Sequence, residues 1–191
     1  HLFVWDKEQD KIIGAYRLGE GKNIMAKYSS KGFYITSLFD LKPAFDKYLK
    51  QSLELGRSFV TQEYQQKPLP LFLLWQGILA YLLKHPEYQY VIGPVSISNN
   101  YSKLSKNFLI SFIKAFYYDH ELAKLVTPHK EFDVDFKNTD SEILMEHFEG
   151  DMSKLDRLIS EIEPAHYKVP VLLKKYMKQN AKIISFNIDP K

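Results

Sequence analysis

The chain holds no cysteine, so thiol nucleophiles, disulfides and cysteine-ligated zinc drop out of its chemistry. What remains is histidine, carboxylate, lysine, arginine, tyrosine and backbone. The six histidines, His1, His85, His120, His129, His147 and His166, lie far apart with no metal-ligand spacing and read as surface or loop side chains. Arginine is more informative. Among 26 basic residues it occurs only as Arg17, Arg57 and Arg157, and the first two sit inside apolar, strand-like runs. A guanidinium keeps its proton, so within a strand it needs a carboxylate or backbone acceptors. Glu54 is the obvious partner for Arg57, yet positions i and i+3 of a regular strand face opposite sides. Gly56 between them offers a bulge that shifts the phase and brings both side chains to one cleft-facing side. Two readings stay open at this point: a functional pair, and a buried ion pair that staples the sheet.

The elements that must position these residues follow from periodicity. Leu2 to Trp5 and Lys11 to Leu18 read as a hairpin across the polar Asp6 to Asp10, closed by Gly19 and Gly21. Phe33 to Leu38 reads as extended, Pro43 to Leu49 as a short helix opened by proline, and Ser52 to Tyr64 as the strand carrying Glu54 and Arg57. After Pro68 and Pro70 a helix runs from about Leu71 to Lys84, ended by His85-Pro86. Tyr88 to Ser98 reads as a second core strand, interrupted by Gly93-Pro94. Apolar spacing over residues 102 to 126 fits one long helix; Ser153 to Ile162 and Val169 to Lys178 fit amphipathic helices, and Ala181 to Ile188 a final strand. This order implies an α/β (α+β) fold, one layer of helices on a mixed sheet.

With 191 residues, 45% of them hydrophobic and 26% charged, the chain fits one globular domain and neither a disordered nor a fibrous class. No apolar stretch approaches the roughly 20 residues of a spanning helix. The net charge of +3 gives no argument for nucleic acid. Its distribution is uneven: residues 131 to 163 hold eleven acids against Lys137, Lys154 and Arg157, a solvated acidic flap or the counterpart of a basic face for an acidic partner or anionic membrane. Dinucleotide, P-loop and HExxH motifs are missing. His1 and Asp6 have the spacing of the His-Asp pair of glycerolipid O-acyltransferases, but residues five apart on a strand point to opposite faces, so the match reads as accidental. The chain opens at His1 in a strand-like run without a signal-peptide pattern, which suggests a start inside a longer polypeptide.

Gly14-Ala-Tyr-Arg17-Leu18 followed by Glu54-Leu-Gly-Arg57-Ser-Phe-Val60 resembles the G-x-x-R-L and E-x-x-R motifs of the GNAT-like N-acyltransferases. That group includes acyl-homoserine-lactone synthases and the ornithine or glycine lipid synthases. Leu74-Trp75-Gln-Gly-Ile78, Ile92-Gly-Pro-Val-Ser96-Ile-Ser98 and Pro170-Val-Leu-Leu-Lys-Lys-Tyr176 through Pro190 are similar to its bacterial branch labelled hemolysin, so the likeness covers nearly the whole chain. It implies a GNAT-like fold, a mixed, largely antiparallel sheet flanked by helices. It also implies a single acyltransferase domain over residues 1–191, without the family's first strand and helices and without its C-terminal end.

The implied reaction joins a long-chain, in some cases 3-hydroxylated, acyl group to the amine of an amino acid such as glycine or ornithine, in aminolipid biosynthesis. The alternative is a noncatalytic GNAT-like module docking to a membrane or a partner acyltransferase. Glu54, Arg57 and Arg17 are then the catalytic candidates: Glu54 holding or deprotonating the amine, the arginines orienting carboxylates. Trp75, Ser96 and Ser98 are candidates for substrate binding. No resident cofactor is expected, the cosubstrate being acyl-ACP or acyl-CoA. The pyrophosphate loop of ordinary GNAT enzymes is replaced by Gln65-Gln-Lys-Pro-Leu-Pro70, which favours acyl carrier protein as donor. Lys174, Lys175 and Lys178, in a stretch without acids, are the candidate docking site for that acidic carrier, with Val171, Leu172 and Tyr176 on the buried side. The expected location is cytoplasmic or peripheral on the inner membrane.

Overall fold

A computed structural model describes residues 1–134, 148–164 and 166–189. The chain divides into two compact units, His1–Pro94 and Val95–Lys191, each with its own apolar core.

The first unit is built on a four-stranded sheet. The hairpin of β1 (Leu2–Asp6) and β2 (Lys11–Glu20) forms as its alternation requires, and Asp6 closes the turn by accepting the N–H groups of Glu8 and Gln9 at 2.9 and 3.1 Å. Two helices, α1 (Gly21–Tyr28) and α2 (Asp46–Lys50), and the short strand β3 (Phe39–Leu41) lead to β4 (Ser52–Val60), which pairs antiparallel with β2. Then α3 (Pro68–Lys84) crosses back to β5 (Tyr90–Ile92), parallel to β4, giving the order β1-β2-β4-β5. Tyr16, Leu53, Leu55, Leu74, Ile78 and Tyr88 form the core between sheet and α3.

Three expectations change here. Phe33 to Leu38 is not extended: the hydroxyls of Thr36 and Ser37 donate to the carbonyls of Phe33 and Tyr34 at 2.8 and 2.7 Å, and the segment curls into a 3₁₀ turn. The strand expected from Tyr88 to Ser98 is regular only over Tyr90–Ile92. Its pairing with β4 stops at Glu54↔Ile92, because Gly93 passes so close to Leu55 that a Cβ there would lie 2.3 Å from the carbonyl oxygen, and Pro94 has no N–H to continue a ladder. Finally, α1 follows the hairpin where only a polar closure was expected.

The second unit is helical. In place of one helix over 102 to 126, α4 (Lys103–Phe116) ends at Tyr117, and α5 (His120–Ala123) restarts under an Asp119 cap that accepts from Glu121 and Leu122. The short strand β6 (Val126–Pro128) follows. Helices α6 (Met152–Ile162) and α7 (Val171–Lys178) agree with the apolar spacing and pack with α4 around Leu109, Phe112, Ile113, Leu155, Ile159, Leu173 and Met177. Of the final strand expected over Ala181 to Ile188, a parallel bridge from Ile183 to Tyr118 is present. Residues 135 to 147 of the acidic segment, with His147, lie outside the described residues.

Candidate functional site

The site grows from one irregularity in β4. Opposite β2 the register runs Arg17↔Gly56 and then Ala15↔Phe59, so Arg57 and Ser58 together span the single residue Tyr16. This is a β-bulge, and Arg57 takes the left-handed conformation, φ 48°, that such bulges usually reserve for glycine. The bulge flips the phase of the strand. Val60, which an unbroken alternation would put on the face of Glu54, instead joins the apolar core, and Phe59 takes its place on the other face.

On that other face Arg17, Glu54 and Gly56 come together. Arg17 stands opposite Gly56, and its guanidinium lies across the glycine: an added Cβ would meet Nη2 at 3.4 Å. It reaches Glu54 diagonally, Nη2 donating to Oε2 at 3.0 Å. The second carboxylate oxygen, Oε1, accepts the backbone N–H of Ile35 at 3.0 Å from the 3₁₀ turn. Tyr34 brings its ring within 5.9 Å of the Arg17 guanidinium. Glu54 is 1% exposed, whereas the Arg17 side chain is 30% exposed. The partner of Glu54 is therefore Arg17 and not Arg57, which corrects the pairing expected from sequence. The bulge is real but falls one residue past Gly56, and Arg57 is exposed at it. Chemically, a buried carboxylate with both oxygens engaged fixes a guanidinium that stays partly exposed.

Trp75 lies on the opposite side of the sheet, edge-on to Tyr16 at 6.4 Å, within the core under α3. Ser96 and Ser98 are exposed residues of the second unit, and Ser98 accepts the N–H of Asn100 at 3.2 Å as a turn-former. Lys174 is not a free surface lysine: its ammonium sits 3.1 Å from both oxygens of Asp156, joining α7 to α6, and Asp156 also accepts the N–H of Val169 at 2.8 Å. Lys175 and Lys178 are exposed. The buried side of α7 is Leu173 and Met177, and Val171, expected inside, is 62% exposed. Asp6 belongs to the hairpin turn and to the hydroxyl of Tyr64 at 2.7 Å, a bond that lowers the Asp6 pKa and pushes Tyr64 up to about 12.

Sequence reasoning missed Tyr34 and the Ile35 N–H, because nothing in spacing tells that a turn 19 residues before Glu54 folds over it. It also missed two carboxylate centres. Glu20 accepts the hydroxyl of Tyr81 and the amide of Asn23; burial first, then that bond, raises the Tyr81 pKa. Glu163, 3% exposed, accepts the N–H and the hydroxyl of Ser102, each at 2.8 Å. The serine side chains around it, Ser105 ahead of Ser102, hold its carboxyl below the usual range. Among the described residues no three His, Asp or Glu side chains are grouped to hold a metal ion.

Comparison with known proteins bears on the family. Residues 1–76 match the Acetyltransferase (GNAT) domain. Over 186 residues, 92% of the chain, it is 33% identical to a glycine N(alpha)-acyltransferase of Bacteroides thetaiotaomicron, covering 54% of that protein. A protein of the same name from Phocaeicola vulgatus is 31% identical over 92% of the chain and 56% of its own length. An L-ornithine N(alpha)-acyltransferase of Agrobacterium fabrum is 41% identical over 91 residues, 44% of the chain and 30% of that protein. The chain thus spans about half the length of the glycine acyltransferases it matches. No solved structure matches it.

Proposed function

We propose that this chain, which belongs to the GNAT-like N-acyltransferase family, carries an acyl-transfer site that joins the amine of an amino acid to an acyl group delivered as a thioester. The observation that carries this reading is the Glu54-anchored Arg17 beside the bulge, with β4 continuing from Leu55 to Val60 past the end of its pairing with β5.

The neutral amine attacks the thioester carbonyl, the C–N bond forms, and the tetrahedral intermediate expels the thiolate. The proton lost by nitrogen ends on the leaving sulfur. The negative oxygen of the intermediate needs preorganised donors. Backbone N–H groups of β4 past Leu55, where the ladder with β5 has ended, are suited to that task. Arg17, held flat by Glu54 and backed by Tyr34, presents N–H groups to the acceptor's carboxylate in the fork geometry a guanidinium offers. Arg57 supplies a second exposed guanidinium at the bulge. Glu54 is too buried to take the amine's proton directly and acts as the positioning residue for Arg17. A base or water chain outside this pair must deprotonate the ammonium.

A long-chain acyl group on acyl carrier protein is the donor we favour, and aminolipid synthesis the context. The start of α3 supports this: with Pro68 at its first position and Pro70 two residues on, two of the N–H groups that would cradle a coenzyme A diphosphate are gone. Lys175 and Lys178 remain the docking candidates, with Lys174 committed to Asp156. The names of the relatives point to glycine or ornithine as acceptor. The test is mass-spectrometric detection of N-acyl product from long-chain acyl-ACP or acyl-CoA with glycine and ornithine. Product that disappears in Arg17→Met, under conditions where urea unfolding shows that variant still folded, supports the reading. A folded chain that gives no product with any pairing returns the protein to the noncatalytic alternative.

A further inference from the structure

Helix α3 has an apolar side left exposed among the described residues. Its inward face, Pro70, Leu74 and Ile78 with Leu71, Trp75 and Leu82, packs on the sheet. Its outward face carries Leu69, Phe72, Leu73, Leu79 and Leu83 at helical spacing, with Phe72 57% and Leu83 75% exposed. The single strongly polar side chain among them is Gln76. A helix apolar all round belongs in a core or a membrane, and an exposed stripe of this kind marks an interaction surface.

Charge says what covers it. From Tyr64 to Pro86 there is no acidic residue, while exposed Lys67 and Lys84 stand at the two ends of the helix. Protein interfaces are laced with hydrogen bonds, for which this face offers little beyond Gln76. Long aliphatic side chains framed by lysines instead suit the boundary between anionic headgroups and acyl chains. With 17 residues, about 25 Å at 1.5 Å per residue, α3 is too short to span a bilayer, and no described helix is long and apolar enough to cross one. Its inner face is already committed to the core, so the helix lies in the plane of the surface.

We infer that the outer face of α3 is a docking surface for an anionic lipid bilayer, with Phe72, Leu79 and Leu83 entering the headgroup boundary and Lys67 and Lys84 meeting lipid charge. The inference is independent of the acyl-transfer reading, because binding is measured without substrates. In flotation with phosphatidylcholine vesicles containing phosphatidylglycerol, the chain should rise with the lipid. Phe72→Ser combined with Leu79→Ser should lower vesicle affinity at least tenfold while the urea midpoint stays put, since both side chains are exposed. Lys67→Gln and Lys84→Gln should each weaken binding about fivefold on anionic vesicles and leave binding to neutral vesicles unchanged. Failure of the wild-type chain to float, or equal flotation of the serine variant, overturns the inference. So does light scattering that shows a lipid-free dimer abolished by the same serine substitutions, which would assign the face to a second copy.

Discussion

Replacing Arg17 by Met removes the guanidinium but keeps much of the side chain's bulk, and leaves the carboxylate of Glu54 at 1% exposure with the Ile35 N–H as its remaining partner shown above. Breaking a buried ion pair on one side costs about 3–5 kcal/mol, because the other charge stays behind uncompensated. Arg17 is itself 30% exposed, so water can enter part of the space it vacates, and the low end, about 3 kcal/mol, applies. Both tryptophans of the chain, Trp5 and Trp75, fall in the first unit, so their fluorescence follows its unfolding. With a urea m-value of about 1–3 kcal/mol/M, the midpoint should fall by about 1–3 M. The decisive sample is Arg17→Met with Glu54→Gln. Once the carboxylate is neutral there is no stranded charge, so the double variant should be more stable than Arg17→Met alone. The reasoning is refuted if Arg17→Met unfolds like the wild type, or if Glu54→Gln costs as much in the variant background as it does by itself.

Arg57→Gly should stabilise the chain by about 0.5–1 kcal/mol, since relief of ~1–2 kcal/mol of left-handed strain outweighs ~0.5–1 kcal/mol of added chain entropy; if Arg57 serves the reaction, acyl transfer should fall as stability rises, read by urea unfolding beside product assay. At position 56 an added methyl only touches Arg17, so Gly56→Ala should be nearly silent, whereas Gly56→Val should displace the guanidinium and raise the KM for the amino acid more than for the donor. Glu163 has a depressed pKa in the folded chain, so its contribution is present above the ordinary glutamate range and lost as pH falls through the folded value; the stability gap between wild type and Glu163→Gln should therefore close on acidification, measured by urea unfolding across that range. If carrier docking uses α7, Lys175→Glu with Lys178→Glu should raise the KM for acyl carrier protein in a salt-sensitive way with kcat unchanged, while Lys174→Met should act on stability through Asp156.

Sequence alone determined what local rules govern. The hairpin, α3, α6 and α7 follow from periodicity and from Gly and Pro, whose effects reach only a few residues. The rarity of arginine singled out Arg17 and Arg57, and a glycine inside a strand announced a bulge to within a residue. Which carboxylate meets which guanidinium was decided elsewhere. Arg17 and Glu54 are 37 residues apart, and the register between β2 and β4 makes them diagonal neighbours. That register depends on the extra residue at Arg57, and the bulge survives because it delivers Val60 to the core, a gain no reading of β4 by itself could weigh. The same holds for the turn at Tyr34 and Ile35, whose apolar pattern reads as a strand until its hydroxyls curl it over Glu54, and for Lys174, which looks like surface charge until α6 brings Asp156 beneath it. Long-range pairing sets these partners, and one-dimensional spacing does not encode which distant strand or helix will arrive.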